Sequence, residues 1–314
     1  MDQIINTPVV SVIMPAYNAA GYIQDSINSV IAQTFSNWEL IIVDDGSIDE
    51  TSSIIANNSN KDSRIRIFYQ ENGKQGKARN LGLAHAQGMY LAFLDADDLW
   101  MPEKLEVQLQ EIKEKNVDLV FADSYIFADS NVADKRKKMN TLSGNLKGIE
   151  ALKMFLEGNR IPTLTVLVKK EKINLVNGFT EKMRIQNAED YHLWLKMLIS
   201  GCMFYGSDKI LASYRIHDKS STSQDKIASK QIPEVFFDLI QNNPEARQII
   251  LKALKKVLRK KYNGRTYTKS DFYVVINENC HYLDKQIYES FYKFINFFMG
   301  VNMTKKFLNH FLNA

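Results

Sequence analysis

Cysteine, proline and long apolar runs are scarce in this sequence of 314 residues. The two cysteines, Cys202 and Cys280, lack the spacing of a metal site, so a reducing compartment is expected rather than a disulfide framework. No window approaches ~20 uninterrupted apolar residues, which argues against a transmembrane helix. Residues 1–8 contain no basic stretch followed by an apolar run, so no signal peptide is expected. These absences together predict a cytoplasmic protein.

The net charge of +4 is unevenly distributed along the chain. Residues 226–314 contain 15 Lys and Arg but only 7 Asp and Glu, a balance of +8, so residues 1–225 carry −4. A basic tail fits either nucleic acid or an anionic membrane surface. Residues 251–261 mix six cations with Leu and Val. This pattern is either a solvated helix packed by its apolar side or a basic amphipathic surface lying on a membrane. The four Phe in residues 291–298 fit a membrane surface or a homodimer interface.

Strand and helix patterns alternate over the first 125 residues, which predicts an α/β fold with a mostly parallel sheet flanked by helices. Strands are expected at residues 9–14, 39–43, 65–69, 89–94, 117–122, 163–168 and 210–216. Helices are expected at residues 23–31, 77–85 and 189–199. Ser47 and Glu50 have capping-box spacing and predict a further helix after them. Pro102 predicts the start of another helix. Residues 129–145 and 218–225 are polar and are expected to form loops. Beyond them the pattern is helical.

Polar residues follow three of the predicted strands at their carboxyl ends, where open α/β sheets bind ligands. These residues are Tyr17 and Asn18, Asp44 and Asp45, and the run from Asp95 to Asp98. The last run holds several carboxylates close together, which favours a bound divalent cation such as Mg²⁺ or Mn²⁺. The alternative is that one aspartate, such as Asp98, caps the next helix.

Two other polar groups have competing interpretations. Asp44 and Asp45 either accept hydrogen bonds from a base or ribose, or form a turn with a helix cap. Lys77 and Arg79 follow a Gly-rich turn at a helix start and suit a diphosphate, although Arg79 alone fits a simple ion pair. The turn matches neither a P-loop nor a dinucleotide-binding Gly-x-Gly-x-x-Gly motif.

Glu189 and Asp190 lie at a predicted helix start, where carboxylates are stabilised as anions. From spacing alone, ordinary helix-terminal charge is the favoured explanation, and a functional role is the alternative. His217 follows a predicted strand and precedes a polar loop, so it is either structural or a metal ligand.

Taken in order, these motifs resemble family 2 of the inverting glycosyltransferases, which have the GT-A (Rossmann-like) fold and include bacterial polysaccharide and O-antigen enzymes. The resemblance covers about residues 8–220. It rests on the segments VSVIMPAYN (10–18), IVDDGSID (42–49), NGKQGKARN (72–80), FLDADD (93–98), Glu189-Asp190 and YRIH (214–217).

The resemblance implies roles for individual residues. Asp190 is the expected catalytic base, and Asp97 is the expected metal ligand. His217 is expected to reach either the metal, as a second ligand, or the diphosphate. The metal is expected to be Mn²⁺ or Mg²⁺. The residues expected to bind the nucleotide sugar or lie beside it are Pro15, Ala16, Tyr17, Asn18, Asp44, Asp45, Lys77, Arg79, Asp95, Ala96 and Glu189.

The implied reaction moves a hexosyl or N-acetylhexosaminyl group from a UDP-sugar to a hydroxyl of a lipid-linked or growing surface glycan. Residues 1–222 are then the GT-A domain, with a donor half at 1–125 and an acceptor half at 126–222. Residues 223–314 form a helical, basic extension, which fits the inner face of the cell membrane better than nucleic acid. Two alternatives stay open: a nucleotidyltransferase that makes sugar nucleotides, and a non-catalytic nucleotide-sugar-binding protein.

Overall fold

A mixed ten-stranded sheet, with strand order β3-β2-β1-β4-β9-β6-β10-β5, forms the centre of residues 1–228. β7 pairs with β6, and β8 pairs with β10. The strands are β1 (Val10–Ala16), β2 (Trp38–Asp44), β3 (Ile65–Tyr69), β4 (Tyr90–Phe93), β5 (Leu99–Trp100), β6 (Leu119–Ala128), β7 (Lys137–Lys138), β8 (Gly144–Leu146), β9 (Leu167–Lys169) and β10 (Phe204–Ile216).

Nine α-helices occur in the part of the chain that the computed structural model describes, which is residues 7–128, 137–218 and 225–263. They are α1 (Ile23–Ile31), α2 (Thr51–Ser59), α3 (Lys74–His85), α4 (Lys104–Glu114), α5 (Gly148–Phe155), α6 (Lys170–Leu175), α7 (Glu189–Ile199), α8 (Asp225–Asn242) and α9 (Arg247–Asn263). Within these ranges no helix is both long and apolar enough to cross a membrane.

The six strands β1, β2, β3, β4, β6 and β10 run in the same direction. β9 lies between β4 and β6 and is antiparallel to both. The mostly parallel α/β sheet is therefore confirmed. The reversal of β9 was not predicted from the sequence. Because β9 runs the other way, it begins at the edge where the parallel strands end.

Complete burial explains why the sequences of the first two strands are mostly apolar. All seven residues of β1 and all seven of β2 are buried, as expected for parallel strands covered on both faces. The polar exceptions are paired: Ser11 donates to Glu39 over 2.7 Å. α3 packs on β1 and β2, and α4 packs on β6 and β10. In α1, Ile23, Ile27 and Val30 form the buried face at helical spacing.

Four local predictions are wrong. Residues 163–165 form a 3-10 turn, and the strand begins only at Leu167, because the three carbonyls from Leu164 to Val166 accept hydrogen bonds from side chains. α2 begins at Thr51, and its first amide is capped by Asp49 rather than by Ser47. α3 begins at Lys74 rather than Lys77 because Asp45 caps it.

The fourth wrong prediction concerns Pro102, which lies in the turn before α4. Its carbonyl accepts a bond from the Thr34 N–H, and the Gln33 side chain caps Leu105 instead. The predicted loop at 129–145 contains the short strand β7 and the first two residues of β8. Residues 129–136 lie outside the described residues, as do residues 219–224 of the loop predicted at 218–225 and the Phe-rich segment 291–298.

The second unit, Ser229–Ala314, is helical over its described part. In α9 the apolar side chains of Ile250, Leu251, Leu254 and Leu258 are buried. Lys252, Lys256 and Lys260 are exposed. Since these lysines are four residues apart, they form one cationic stripe along the helix.

Gly88 is a position where the fold requires the absence of a side chain. A Cβ there would lie 2.6 Å from the backbone nitrogen of Ser11 and 2.8 Å from the carbonyl carbon of Val10. Both atoms belong to buried β1, which has no room to shift. We therefore expect Gly88→Ala to lower the free energy of unfolding by about 1–3 kcal/mol, through overpacking.

Gly21→Ala is the matched control, because a Cβ at Gly21 would meet no heavy atom of the described residues within 4 Å. Its unfolding free energy should stay within about 0.5 kcal/mol of the wild type. Equilibrium denaturant unfolding measures both variants. Equal midpoints for the two would contradict the close approach at Gly88.

Candidate active site

The candidate site lies at the edge of the sheet where the parallel strands end. The loop after β1 is joined there to the loop after β2. Asn18 adopts a left-handed backbone conformation with φ of 49°. Its N–H donates to Ser47 Oγ over 3.0 Å, and its Oδ1 accepts from the Ile48 N–H over 2.9 Å. Asn18 therefore holds the loop after β1 against the loop after β2. Beside it, Pro15 and Ala16 are buried in β1, whereas Tyr17 is 50% exposed.

Asp44 and Asp45 are buried and hold the loops around them. Asp44 accepts bonds from the Ser47 N–H over 2.9 Å and from the Ser52 hydroxyl. Asp45 accepts from Gln70 Nε2 over 2.6 Å and from the N–H groups of Gly73 and Lys74 over 2.7 and 2.9 Å. The turn-and-cap interpretation therefore describes the contacts of both carboxylates, and Asp45 caps α3 rather than α2.

Lys77 and Arg79 lie on α3 but point to different surroundings. Lys77 is exposed, whereas Arg79 is only 3% exposed. Arg79 Nη2 is 2.7 Å from Asp95 Oδ1, and Nη1 is 2.6 Å from Glu189 Oε1. The guanidinium thus joins the end of β4 to the first residue of α7. Its ion pairs are made with site carboxylates instead of with a surface partner.

Burial and the two ion pairs shift the pKa values of Arg79 and Glu189 in opposite directions. Burial raises the pKa of the Glu189 carboxyl to about 7, and the Arg79 charge opposes that shift. Burial also disfavours the charged form of Arg79, but Asp95 and Glu189 more than compensate and raise its pKa. The guanidinium therefore stays cationic between its two partners.

The Asp95–Asp98 turn faces the end of β10. Asp97 Oδ2 is 3.0 Å from His217 Nε2. The His217 ring stacks on Tyr22, with ring centroids 4.4 Å apart. Asp98 Oδ1 accepts from the Arg215 N–H over 2.8 Å, and the Arg215 Nε–H donates to the Asp97 carbonyl over the same distance. Arg215 and His217 therefore bind the turn from the strand that ends beside it.

The three aspartates of this turn differ in environment. Asp98 is buried, and its Oδ2 has no hydrogen-bond partner among the residues that the structure describes. Burial, followed by the charges of Asp97 and Asp95, raises the pKa of Asp98 well above its usual range. Burial and the Asp95 charge also raise the pKa of Asp97, and His217 opposes this shift. Ala96 is buried between them at 6% exposure. Asp98 is thus a structural residue of the turn, while Asp95 and Asp97 reach the rim.

The Asp97 and His217 pair fits part of a divalent metal site. Their ligand atoms are 3.0 Å apart, which is the spacing of neighbouring ligands in an octahedral site with bonds of about 2.1 Å. In the described part of the chain, no group of three or more His, Cys, Asp or Glu side chains is arranged to hold a metal. A two-ligand protein site suits Mg²⁺ or Mn²⁺, which take their other ligands from water and substrate phosphates.

Asp190 lies in the first turn of α7 and is bonded by residues that the sequence motifs do not include. Its Oδ2 accepts from Asn159 Nδ2 over 3.0 Å and from Thr163 Oγ1 over 2.8 Å. Asn159, Thr163 and Tyr22 were not predicted from the sequence as residues of this site. None belongs to a recognisable motif. The nearest signal was the polar pattern Asn-Arg-Ile-Pro-Thr at 159–163, in front of a strand that was predicted to start too early.

The chain matches the family model described as glycosyl transferase family 2 over residues 11–170. It is 37% identical to the putative teichuronic acid biosynthesis glycosyltransferase TuaG of Bacillus subtilis, over 71% of this chain and 85% of that protein. It is 34% identical to the UDP-Glc:alpha-D-GlcNAc-diphosphoundecaprenol beta-1,3-glucosyltransferase WfgD of Escherichia coli, over 76% of this chain and 89% of that protein.

Solved structures support the same fold. The complex of Staphylococcus aureus TarS 1–349 with UDP-GlcNAc superposes with a TM-score of 0.68 at 20% identity, covering 88% of this chain and 82% of that one. The mannosyltransferase PcManGT of Pyrobaculum calidifontis, in complex with GDP-Man and Mn²⁺, gives a TM-score of 0.56 at 16% identity, covering 98% and 86%. With the family match and the two relatives, these likenesses show that the chain belongs to glycosyltransferase family 2 and has the GT-A fold.

Arg79→Met should be strongly destabilising, because it leaves the buried Glu189 carboxylate without its cation. We expect a loss of about 3–5 kcal/mol in the free energy of unfolding, as for other broken buried ion pairs. Lys153→Met is the control, since it removes an ion pair with the same 2.6 Å separation between side chains that are 54% and 75% exposed.

The control should change stability by no more than about 1 kcal/mol. Denaturant unfolding of the two variants at one pH makes the comparison. A similar loss of unfolding free energy in both variants would show that burial does not make the Arg79 ion pairs more important for stability than an exposed pair.

Proposed function

We propose that this chain is an inverting glycosyltransferase that moves a hexosyl or N-acetylhexosaminyl group from a UDP-sugar to a hydroxyl of a lipid-linked or growing surface glycan. The observation that carries the proposal is the Arg79 bridge. It ties Asp95, beside the Asp97 and His217 pair, to Glu189, the residue before Asp190. A candidate base and a candidate donor site are therefore held together by one buried cation.

Named relatives support the choice of donor and acceptor. TarS has been solved with UDP and with UDP-GlcNAc. WfgD is named as a glucosyltransferase that uses UDP-Glc and a diphosphoundecaprenol-linked GlcNAc, with a β-1,3 product. A β-linkage is what one inverting displacement at an α-linked donor yields. These names favour a UDP-sugar donor and a lipid-diphosphate acceptor for this chain as well.

In the proposed donor site, exposed Tyr17 offers a face for the uracil, next to Pro15, Ala16 and Asn18. Asp44 and Asp45 support it by ordering the two loops that form its floor. Exposed Lys77 supplies a positive charge for the diphosphate at the start of α3. Asp95 faces the ribose or sugar and is held in place by Arg79.

In the proposed reaction, Asp190 accepts the proton of the acceptor hydroxyl while that oxygen attacks the anomeric carbon from the side opposite UDP. The bond between the anomeric carbon and the diphosphate oxygen breaks, and UDP leaves with the bonding electrons. No covalent intermediate on the enzyme is needed. Asp97 and His217 would hold Mn²⁺ or Mg²⁺, which supplies Lewis-acid stabilisation of the departing diphosphate.

A donor screen with an Asp190 variant tests this proposal. UDP-glucose, UDP-GlcNAc, GDP-mannose and a dTDP-sugar are each incubated with the protein, with MnCl₂ or with EDTA, and nucleoside diphosphate release is measured. Synthetic lipid-diphosphate GlcNAc serves as the added acceptor. We expect release from a UDP-sugar only, dependent on Mn²⁺ and stimulated by acceptor.

Asp190→Asn should lower that release by about 10²–10⁴-fold, since a positioned base contributes this much, and should leave Mn²⁺-dependent UDP binding intact by calorimetry. The exposed Asp208→Asn is the matched control and should keep wild-type turnover. Unchanged turnover in Asp190→Asn would refute the base assignment. Release from GDP-mannose alone would refute the UDP-sugar donor.

We also propose that the protein works at the inner face of the cell membrane, through the cationic stripe of α9. The buried apolar side of this helix favours electrostatic attraction over insertion. Each lysine near an anionic surface contributes about 1 kcal/mol. Replacing Lys252, Lys256 and Lys260 together with Gln should therefore weaken binding to phosphatidylglycerol vesicles by about 100-fold in a sedimentation assay.

A control variant replaces the exposed Lys61, Lys113 and Lys147 with Gln, which removes the same net charge elsewhere. It should bind vesicles nearly as well as the wild type. Equal losses for the two triple variants would show that overall charge, not the stripe, attracts the protein. The proposed homodimer stays a prediction.

A further inference from the structure

We infer that Thr163 and Asn159 are positioning residues that fix the Asp190 carboxylate, so that its Oδ1 is the oxygen that accepts the proton. The inference rests on the proposed role of Asp190 as the base. It goes beyond that role because it assigns different tasks to the two carboxylate oxygens and to a chain segment outside the family motifs.

The two oxygens of Asp190 have different partners. Oδ2 accepts from Thr163 Oγ1 over 2.8 Å and from Asn159 Nδ2 over 3.0 Å. In the described part of the chain, Oδ1 accepts one hydrogen bond, from the Tyr191 N–H over 2.6 Å. Each carboxylate oxygen has about two lone-pair positions. Both positions of Oδ2 are therefore in use, while Oδ1 keeps one for a proton.

The donors to Oδ2 are themselves oriented. Asn159 Oδ1 accepts from the Ile161 N–H over 3.2 Å, so the amide group has its Nδ2 turned towards Asp190. Thr163 begins the 3-10 turn Thr163–Thr165 and is 8% exposed. Rotation of the Asp190 carboxylate would break both bonds to Oδ2 together. The geometry therefore holds the carboxylate in one orientation.

The segment that carries these donors is anchored by three buried side chains. The carbonyls of three consecutive residues each accept one hydrogen bond: Leu164 from Trp100 Nε1 over 2.7 Å, Thr165 from Gln108 Nε2 over 2.7 Å and Val166 from Lys104 Nζ over 3.4 Å. Lys104 Nζ also lies 4.1 Å from the centre of the Trp100 ring. Since β9 begins directly after this turn, the turn lies at the rim of the sheet.

Thr163→Val tests the inference, because valine keeps the shape of threonine and removes only the donor to Oδ2. The probe is Mn²⁺-dependent UDP release from the UDP-sugar that the wild type turns over fastest in the donor screen. Thr163→Ser keeps a hydroxyl, and Asp190→Asn is measured in parallel. Thr34→Val is the matched control, since Thr34 also donates to a carboxylate, Glu106, over 2.7 Å, outside this network.

We expect Thr163→Val to lower kcat by about 10-fold to 100-fold, the equivalent of one hydrogen bond to a charged group. The KM for the UDP-sugar and the affinity for UDP with Mn²⁺ should stay unchanged. Thr163→Ser should restore most of kcat, and Thr34→Val should behave as the wild type. Asn159→Ala should lower kcat in the same direction without changing KM.

Other outcomes separate the two proposals. If Asp190→Asn is inactive while Thr163→Val keeps wild-type kcat, the base assignment stands and the positioning role is refuted. If Asp190→Asn itself keeps wild-type kcat, the base assignment fails. A Thr163→Val variant that loses UDP binding, or a Thr163→Ser variant that fails to recover kcat, would show a role in the fold instead.

Discussion

The rest of the candidate site depends on the placement of one buried cation. The Arg79 guanidinium is nearly inaccessible to solvent and is bound by carboxylates from the end of β4 and the start of α7, the second of which lies 110 residues further along the chain. Removing an arginine from water is costly unless charged partners compensate. The fold is therefore stable at this point only when both chain segments are in place. This requirement couples the Asp95–Asp98 turn to the helix start that carries Asp190.

The direction of two strands completes the rim. β10 is parallel to β6 and ends beside the Asp95–Asp98 turn, which brings His217 to Asp97. β9 is antiparallel to its neighbours, so the turn before it lies at the same edge. That turn supplies Thr163. If β9 ran parallel to β4 and β6, the turn before β9 would lie at the opposite edge of the sheet, away from α7.

An element of the fold could be predicted from the sequence when the residues that determine it lie close together along the chain. β1 and β2 were recognisable because complete burial leaves a mostly apolar run in each strand. The α2 cap was predicted at Ser47, whereas Asp49 caps the helix and Ser47 bonds Asn18 in another loop. The strand predicted from residue 163 begins later because side chains of Trp100, Gln108 and Lys104 compete for its carbonyls. In each failure a partner distant in sequence decided the local structure.

The sequence by itself determined the family, the alternation of strands and helices and the residue types at the strand ends, because ordered motifs and burial periods are properties of short segments. It marked Asp190, Asp97 and His217 as candidates without showing that the last two contact each other. Tertiary structure decided that Arg79 binds two site carboxylates, that Asp44 and Asp45 order loops, and that Asn159 and Thr163 hold Asp190. These assignments depend on hydrogen-bond geometry between segments up to about 110 residues apart, since directional bonds form only when folding brings donor and acceptor within about 3 Å.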